Sequence, residues 1–259
     1  ILESEVRAAL DDLMSGRVPA AAGGALAKPP NAQYVDFAVW QRRWLRDSGE
    51  LEHQLQYWKE TLRGAAQVLE VPTDKPRPAV QSYDGALAFT DVSAGVMRGV
   101  DALARKCRAS RFGVMLACWQ ALLLIYGRQE DVVCGVPVAG RDRPELSDVI
   151  GYFITVLPVH GVARPGQSLA DFAGEVARAF ADAMAHSDVP LASIVEAVGV
   201  ARDASRTPLF QTTCNAPDGL GADRSEGVED EVSSGDVESS DAPDVPTAAV
   251  AKFDLSLSM

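Results

Sequence analysis

The sequence predicts an α/β fold, and three observations predict it. Val132–Val138 is a β-branched apolar run closed by Gly140, and Tyr152–Val159 is a second such run opened by Gly151. The long segments around them place apolar residues at helical rather than alternating spacing. Near-continuous apolar strands suit a sheet covered on both faces, and a loop joining two of them is where a scaffold displays functional groups. The loop between these runs, with Pro144 in it, is therefore the first candidate site, although Gly140-Arg141-Asp142-Arg143-Pro144 also reads as a solvated turn.

Taken in order, Glu3–Met14 carries Val6, Ala9, Leu10 and Leu13 on one helical face, with Gly16 placed to end the helix. Pro19–Pro30, rich in Ala, Gly and Pro, is expected to be a flexible linker. Tyr34–Arg46 aligns Phe37, Trp40, Trp44 and Leu45, and Leu51–Arg63 aligns Leu55, Trp58 and Leu62 before Gly64. Such aromatic stripes serve core packing, with the lining of a substrate passage as the second use. Leu69–Tyr83 contains Pro72, Pro76 and Pro78, which excludes a regular helix or a sheet interior and predicts an extended surface connection.

Gly85–Val92 alternates as a strand does, Val96–Cys107 suits a helix, and Arg111–Tyr126 suits a strongly apolar helix capped by Ser110. With Met115, Leu116, Trp119, Leu122 and Leu123, that helix is expected to be the most buried. Leu169–Ala185 turns Phe172, Val176 and Phe180 inward, and Leu191–Val198 forms a short helix after Pro190. Leu209–Asn215 and Ala251–Leu257 read as strands. Between them Asp218–Val245 holds ten acidic residues and one arginine, a local charge of −9 out of −12 for the chain. A tract of that composition cannot bury enough apolar surface to order itself and is expected to be a disordered loop over 218–245.

The 259 residues suffice for one large domain or two modest ones. With 47% hydrophobic and 23% charged residues the chain resembles ordinary globular proteins. The acidic balance argues against a nucleic-acid surface, and no apolar run spans a bilayer or resembles an export signal, so a cytoplasmic protein is expected. Cys107, Cys118, Cys134 and Cys214 lack metal or CxxC spacing and read as free thiols. His53, His160 and His186 have no second ligand at metal spacing, and no HExxH, P-loop or GxSxG pattern occurs. His186 lies beside Asp188 in a loop and reads as a surface or capping histidine. Arg202, Asp203 and Arg206 read as a salt-bridged loop. The residues by themselves show no catalytic set and no metal site. Opening at Ile1 and closing at Met259 in a strand-like run, the sequence is expected to be part of a longer protein.

Seven separated motifs, in order, resemble condensation domains of nonribosomal peptide synthetases: Tyr34-Val-Asp-Phe-Ala-Val-Trp-Gln, Leu69-Glu-Val-Pro-Thr-Asp-Lys-Pro-Arg-Pro, Pro137-Val-Ala-Gly-Arg, Ile150-Gly-Tyr-Phe, His186-Ser-Asp-Val-Pro, Arg202-Asp-Ala-Ser-Arg-Thr-Pro-Leu-Phe-Gln and Lys252-Phe-Asp-Leu. The resemblance implies a chloramphenicol acetyltransferase-like lobe, a mixed sheet flanked by helices, one of two such lobes facing each other across a tunnel. It implies amide formation between a donor acyl or peptidyl thioester and the amine of an acceptor aminoacyl thioester, both on phosphopantetheine arms of carrier proteins. No cofactor is expected to bind directly. The donor and acceptor carrier proteins and neighbouring synthetase domains are the expected partners.

The family's His-His-x-x-x-Asp-Gly motif is not in this sequence. The resemblance therefore implies a C-terminal part, with the catalytic N-terminal lobe missing and residues 1–259 inactive alone. Arg141 matches the arginine that faces the motif's aspartate, a structural salt-bridge partner rather than a proton carrier. Arg141, Gly151, Tyr152 and Thr155 are the candidate substrate-binding residues by position. Thr155-Val156 stands where the family commonly has Asn-Thr, and His186-Ser187 where His-Gln or Asn-Gln is usual, which bears on tunnel polarity. A catalytically silent domain that recruits a partner enzyme, and an epimerisation domain, are the alternatives.

Overall fold

Serine side chains decide where three of the helices begin. Ser93 accepts the Val96 N–H at 3.4 Å, Ser110 the Gly113 N–H at 3.0 Å and Ser168 the Asp171 N–H at 3.2 Å, each satisfying one of the donors that a first helical turn leaves open. The computed structural model describes residues 2–15, 32–141, 143–201, 203–216 and 249–259. The expected linker and acidic loop lie outside the described residues.

The helices are α1 (Leu2–Met14), α2 (Tyr34–Asp47), α3 (Glu50–Thr61), α4 (Ala94–Cys107), α5 (Arg111–Gly127), α6 (Leu169–Ala185) and α7 (Leu191–Val198). The strands are β1 (Asp84–Gly85), β2 (Asp131–Val138), β3 (Thr155–Val162), β4 (Thr212–Asn215), β5 (Ala249–Val250) and β6 (Leu255–Ser258), with a 3-10 turn at Pro144–Leu146. The chain divides into two units, Ile1–Gln54 with Val138–Thr155, and Leu55–Pro137 with Val156–Met259.

The second unit holds a mixed four-stranded sheet in the order β3-β2-β4-β6, with β2, β4 and β6 parallel. β4 and β6 pair in register from Thr212 opposite Leu255 to Asn215 opposite Ser258. Val132 to Val136 are buried without interruption in β2, the pattern of a strand covered on both faces. Helices α5 and α6 pack on one another, with Phe112 and Phe180 rings 5.1 Å apart. Leu116, Leu157, Ile194 and Phe210 are 2% exposed or less, and each such side chain contributes about 1.5–3 kcal/mol by leaving water.

Helix α5 is the apolar helix expected, capped by Ser110, but its burial is one-sided: Leu116 and Leu123 are buried while Leu122, Ile125 and Tyr126 are 45%, 74% and 62% exposed. Four strand expectations need correction. The run at Tyr152 becomes a strand only at Thr155 and continues to Val162, because Phe153 is buried against α2 and takes the backbone out of the ladder. Gly85–Val92 contributes only β1, paired with β5, and Leu87 and Phe89 are exposed. Leu209 adopts a left-handed φ of 72°, a conformation no strand accommodates, so β4 begins at Thr212. The last strand begins at Leu255, not at Ala251, because Asp254 and Leu255 N–H groups first bond back to the Gln211 carbonyl.

The extended connection from Leu69 to Tyr83 is largely exposed, as its prolines require, but Leu69 itself is buried. Gln211, 2% exposed, pins it: its Oε1 accepts the Leu69 N–H at 2.7 Å and its Nε2 donates to the Gln67 and Thr207 carbonyls at 3.1 and 2.8 Å. Arg77 extends the same anchorage by donating to the Ser205 carbonyl at 2.9 Å and pairing with Asp254.

Candidate functional site

The connection from β2 to β3 belongs to the first unit and is built around one side chain. Arg141 Nη1 donates to the carbonyls of Leu146 and Val149, the latter at 2.8 Å, and its guanidinium lies 4.3 Å above the Phe153 ring. Leu146, Val149 and Phe153 form a buried cluster with Phe37 of α2 packed on it. Tyr34 meets Phe153 edge-on at 5.1 Å and Phe37 meets it at 4.9 Å. A planar cation with several donors suits this position because it satisfies two turn carbonyls and stacks on an aromatic face at once.

Two glycines allow the loop to close. Gly140 has a left-handed φ of 62°, and a Cβ there would stand 2.2 Å from the Phe153 carbonyl oxygen. At Gly151 a Cβ would stand 2.4 Å from Tyr34 Cδ2. The interior thus filled, the loop turns other side chains outward: Ile150, Tyr152 and Ile154 are 54%, 73% and 51% exposed. Arg143 lies 4.2 Å over Trp40, which stacks on Trp44 at 5.5 Å.

Of the four sequence-predicted site residues, Arg141 is inside the loop, Gly151 is under Tyr34, Tyr152 is on the surface and Thr155 is half-buried at the start of β3. The structure brings Arg141 and Gly151 together with α2 and leaves Tyr152 pointing away from that packing. Arg141 was expected as a salt-bridge partner. Among the described residues its bonds run to two carbonyls of its own loop.

In the second unit, His186 is the capping histidine expected. It follows α6, donates from Nδ1 to the Asp182 carbonyl at 2.7 Å and stacks on Tyr57 at 3.8 Å, while its carbonyl accepts the Trp58 indole N–H at 3.0 Å. Burial pushes the Tyr57 hydroxyl up from its ordinary range. Asp203 and Arg206 pair at 2.8 Å, and Arg202 lies outside the described residues. Burial also raises the Cys118 and Cys134 thiols and pushes Cys214 up to about 12, so they remain protonated and poor nucleophiles. Among the described residues no group of His, Cys, Asp or Glu side chains could hold a metal.

Sequence reasoning singled out His186 and passed over His160. His160 Nε2 is 2.8 Å from Asp131 Oδ2 and its Nδ1 is 3.2 Å from the Thr61 carbonyl. It lines a cleft of about 390 Å³ with Gly161, Arg164, Phe172, Glu175 and Arg178. Two residues in sequence hint at it, since Asp131 begins one apolar strand and His160 interrupts the other, but their pairing depends on strand register.

A family model, the Condensation domain, matches residues 10–259. The chain is similar to tyrocidine synthase 2 of Brevibacillus parabrevis, 37% identical over 180 residues that cover 70% of this chain and 5% of that protein. It is also similar to phosphinothricin tripeptide synthetase PhsC of Streptomyces viridochromogenes, 37% identical over 229 residues, 88% of this chain and 20% of that one. The chain thus spans a small part of the length of these relatives. Among solved structures, the X-domain from teicoplanin biosynthesis superimposes with a TM-score of 0.70 at 27% identity, covering 81% of this chain and 46% of that chain. A four-domain nonribosomal peptide synthetase bound to AMP and glycine gives a TM-score of 0.61 at 31% identity over 64% of this chain and 13% of that one.

Proposed function

The chain belongs to the condensation domain family of nonribosomal peptide synthetases, and from that premise we propose that it is one part of an amide-forming acyltransferase whose proton-handling residues lie outside this sequence. The substrates are a donor acyl or peptidyl thioester and an acceptor aminoacyl thioester, each on the phosphopantetheine arm of a carrier protein. Attack of the acceptor amine on the thioester carbonyl forms the amide and releases the donor thiol. The amine gives up a proton in that step, and the transient oxyanion needs a donor. No His-His-x-x-x-Asp-Gly sequence is present to receive the proton. Residues 1–259 would instead shape and brace the substrate passage.

One observation carries this division of labour: the first unit spends Arg141, Tyr34, Phe37 and Phe153 on internal order and still exposes Val6, Leu10 and Leu13 of α1, Val35 and Val39 of α2, and Ile150, Tyr152 and Ile154 of the loop. Apolar side chains left uncovered on that scale are what elements made for contact present. In this reading Tyr152 and Thr155 face substrate, Gly151 sets the height of Tyr152, and Arg141 keeps the loop in shape.

The test is reconstitution of the intact domain with two loaded carrier proteins, reading dipeptidyl thioester by mass spectrometry. Dipeptide from the intact domain and none from residues 1–259 alone is the expected result. Turnover by residues 1–259 alone would overturn the proposal. The likeness to the teicoplanin X-domain, which is also solved in complex with OxyB, gives the second reading, a domain that binds a partner enzyme without forming amides. Capture of such an enzyme with no dipeptide formed would select it. Racemisation of a carrier-bound aminoacyl group would select epimerisation.

A further inference from the structure

Helix α2 packs Phe37 against the loop cluster and buries Leu45. Its outer face carries something else. Val35, Val39, Arg42, Arg43 and Arg46 recur at helical spacing and so share one side of the helix. All five are exposed, the valines by 63% and 45%. From Val35 to Arg46 this stripe runs about 16 Å along the axis, three turns.

Nothing within the helix explains why the arginines stand together. Arg46 lies four residues from Arg42 and three from Arg43, the spacing at which like charges on a helix repel. Among the described residues none of the three is held by a carboxylate. Asp36 is engaged at the first turn, where it accepts the Gln33 N–H at 2.9 Å. Arg46, in the last turn, gains from the carbonyl end of the helix, but Arg42 and Arg43 lie before that turn.

Charge selects the occupant. The chain carries −12, so a stripe of three arginines runs against its overall sign. A membrane or a nucleic acid presents anions across a whole molecular face and would meet that negative balance. A single helix bearing carboxylates meets the stripe alone, and the valines between the arginines give it an apolar strip to cover.

We propose that the outer face of α2 is a docking surface for an acidic amphipathic helix of a partner domain, with carboxylates on Arg42, Arg43 and Arg46 and apolar side chains on Val35 and Val39. Forked contacts between guanidinium and carboxylate set the orientation, and the repulsion among the arginines is relieved when the partner is seated. The stripe does not include Tyr152 or Thr155, so the proposal goes beyond the amide-forming reading and does not rest on it.

The experiment uses the intact domain and a fluorescein-labelled, hydrocarbon-stapled peptide with glutamates and leucines at helical spacing, read by fluorescence anisotropy. The expected result is binding that weakens with salt and falls at least about tenfold in Arg42→Glu/Arg46→Glu. Hydrogen exchange should place the peptide's protection on α2. Arg42→Gln should melt no lower than wild type, because it removes a like-charged neighbour. No binding to the wild type would overturn the proposal, as would an affinity that charge reversal leaves unchanged, protection elsewhere, or a lower melting temperature in Arg42→Gln. Phosphatidylglycerol vesicles that bind through the same arginines would overturn it in favour of a membrane surface. If Arg42→Glu/Arg46→Glu fails to fold, Arg42→Gln carries the comparison, with a loss of about threefold expected.

Discussion

The two ends of the β2–β3 strand pair are secured by opposite devices. Past Val138 and before Thr155, the chain is held by Arg141 spread over two carbonyls and an aromatic ring, with glycines where nothing larger fits. At Asp131 and His160 it is held by a hydrogen-bonded pair of side chains that also gathers backbone groups of Thr61 and Ala66. The first device is local, one side chain gathering carbonyls of its own loop. The second joins side chains from two strands and depends on their register. A brace within one loop fixes that loop's own shape, whereas an anchor between helix and strands fixes how those elements meet.

Substitutions that separate these devices should fall in a clear order. Gly140→Ala should be the most damaging: the left-handed backbone and the close Phe153 carbonyl together predict a loss of more than about 2 kcal/mol in urea unfolding of the intact domain. A stability within error of wild type would show that the loop relaxes freely and has no fixed shape. Arg141→Met should cost roughly 1.5–3 kcal/mol by leaving two loop carbonyls without their charged donor, and Arg141→Lys should restore little of it, since an ammonium cannot both fork and stack. Full rescue by lysine would mean that charge alone matters there.

Gln211→Leu tests the second unit away from either device. It removes the acceptor for Leu69 N–H and the donor to two carbonyls, and should cost about 1–3 kcal/mol, with limited proteolysis directed to the Pro-rich connection near Pro72 and Pro76. Cutting elsewhere would dissociate Gln211 from that segment. The smallest effect belongs to Glu175→Gln. Arg164 bonds hold the Glu175 carboxyl below its ordinary range, so its contribution is present above the unfolded value and lost as pH falls through the lower folded one. The pair is exposed, 63% and 34%, and solvent screening should keep the change within about 0.5 kcal/mol. Thermal melts across acidic pH would detect a larger role.

How much of this was legible beforehand depends on the range of the interaction responsible. Helix α6 runs from Leu169 to Ala185 and α7 from Leu191 to Val198 as the spacing predicts, because apolar period, Ser168 and Pro190 are all local signals. Tyr152 misled because an apolar aromatic beside Phe153 looks like strand, while the burial of Phe153 under Phe37 depends on a helix more than a hundred residues earlier. Leu209 misled for the same kind of reason: nothing beside it announces a left-handed backbone.

The sequence by itself determined the α/β class, most helix limits, the family through seven ordered motifs, and the lack of a proton-handling motif within these residues. Those properties rest on neighbours in the chain or on their order along it. Only the tertiary structure decided that Arg141 bonds to its own loop, that Gly140 and Gly151 must lack a Cβ, and that His160 finds Asp131 and Thr61. The first depends on how the loop folds back on itself, the second on which segments crowd each glycine, and the last on strand register and helix packing, which bring groups distant in the chain to within 2.8 and 3.2 Å.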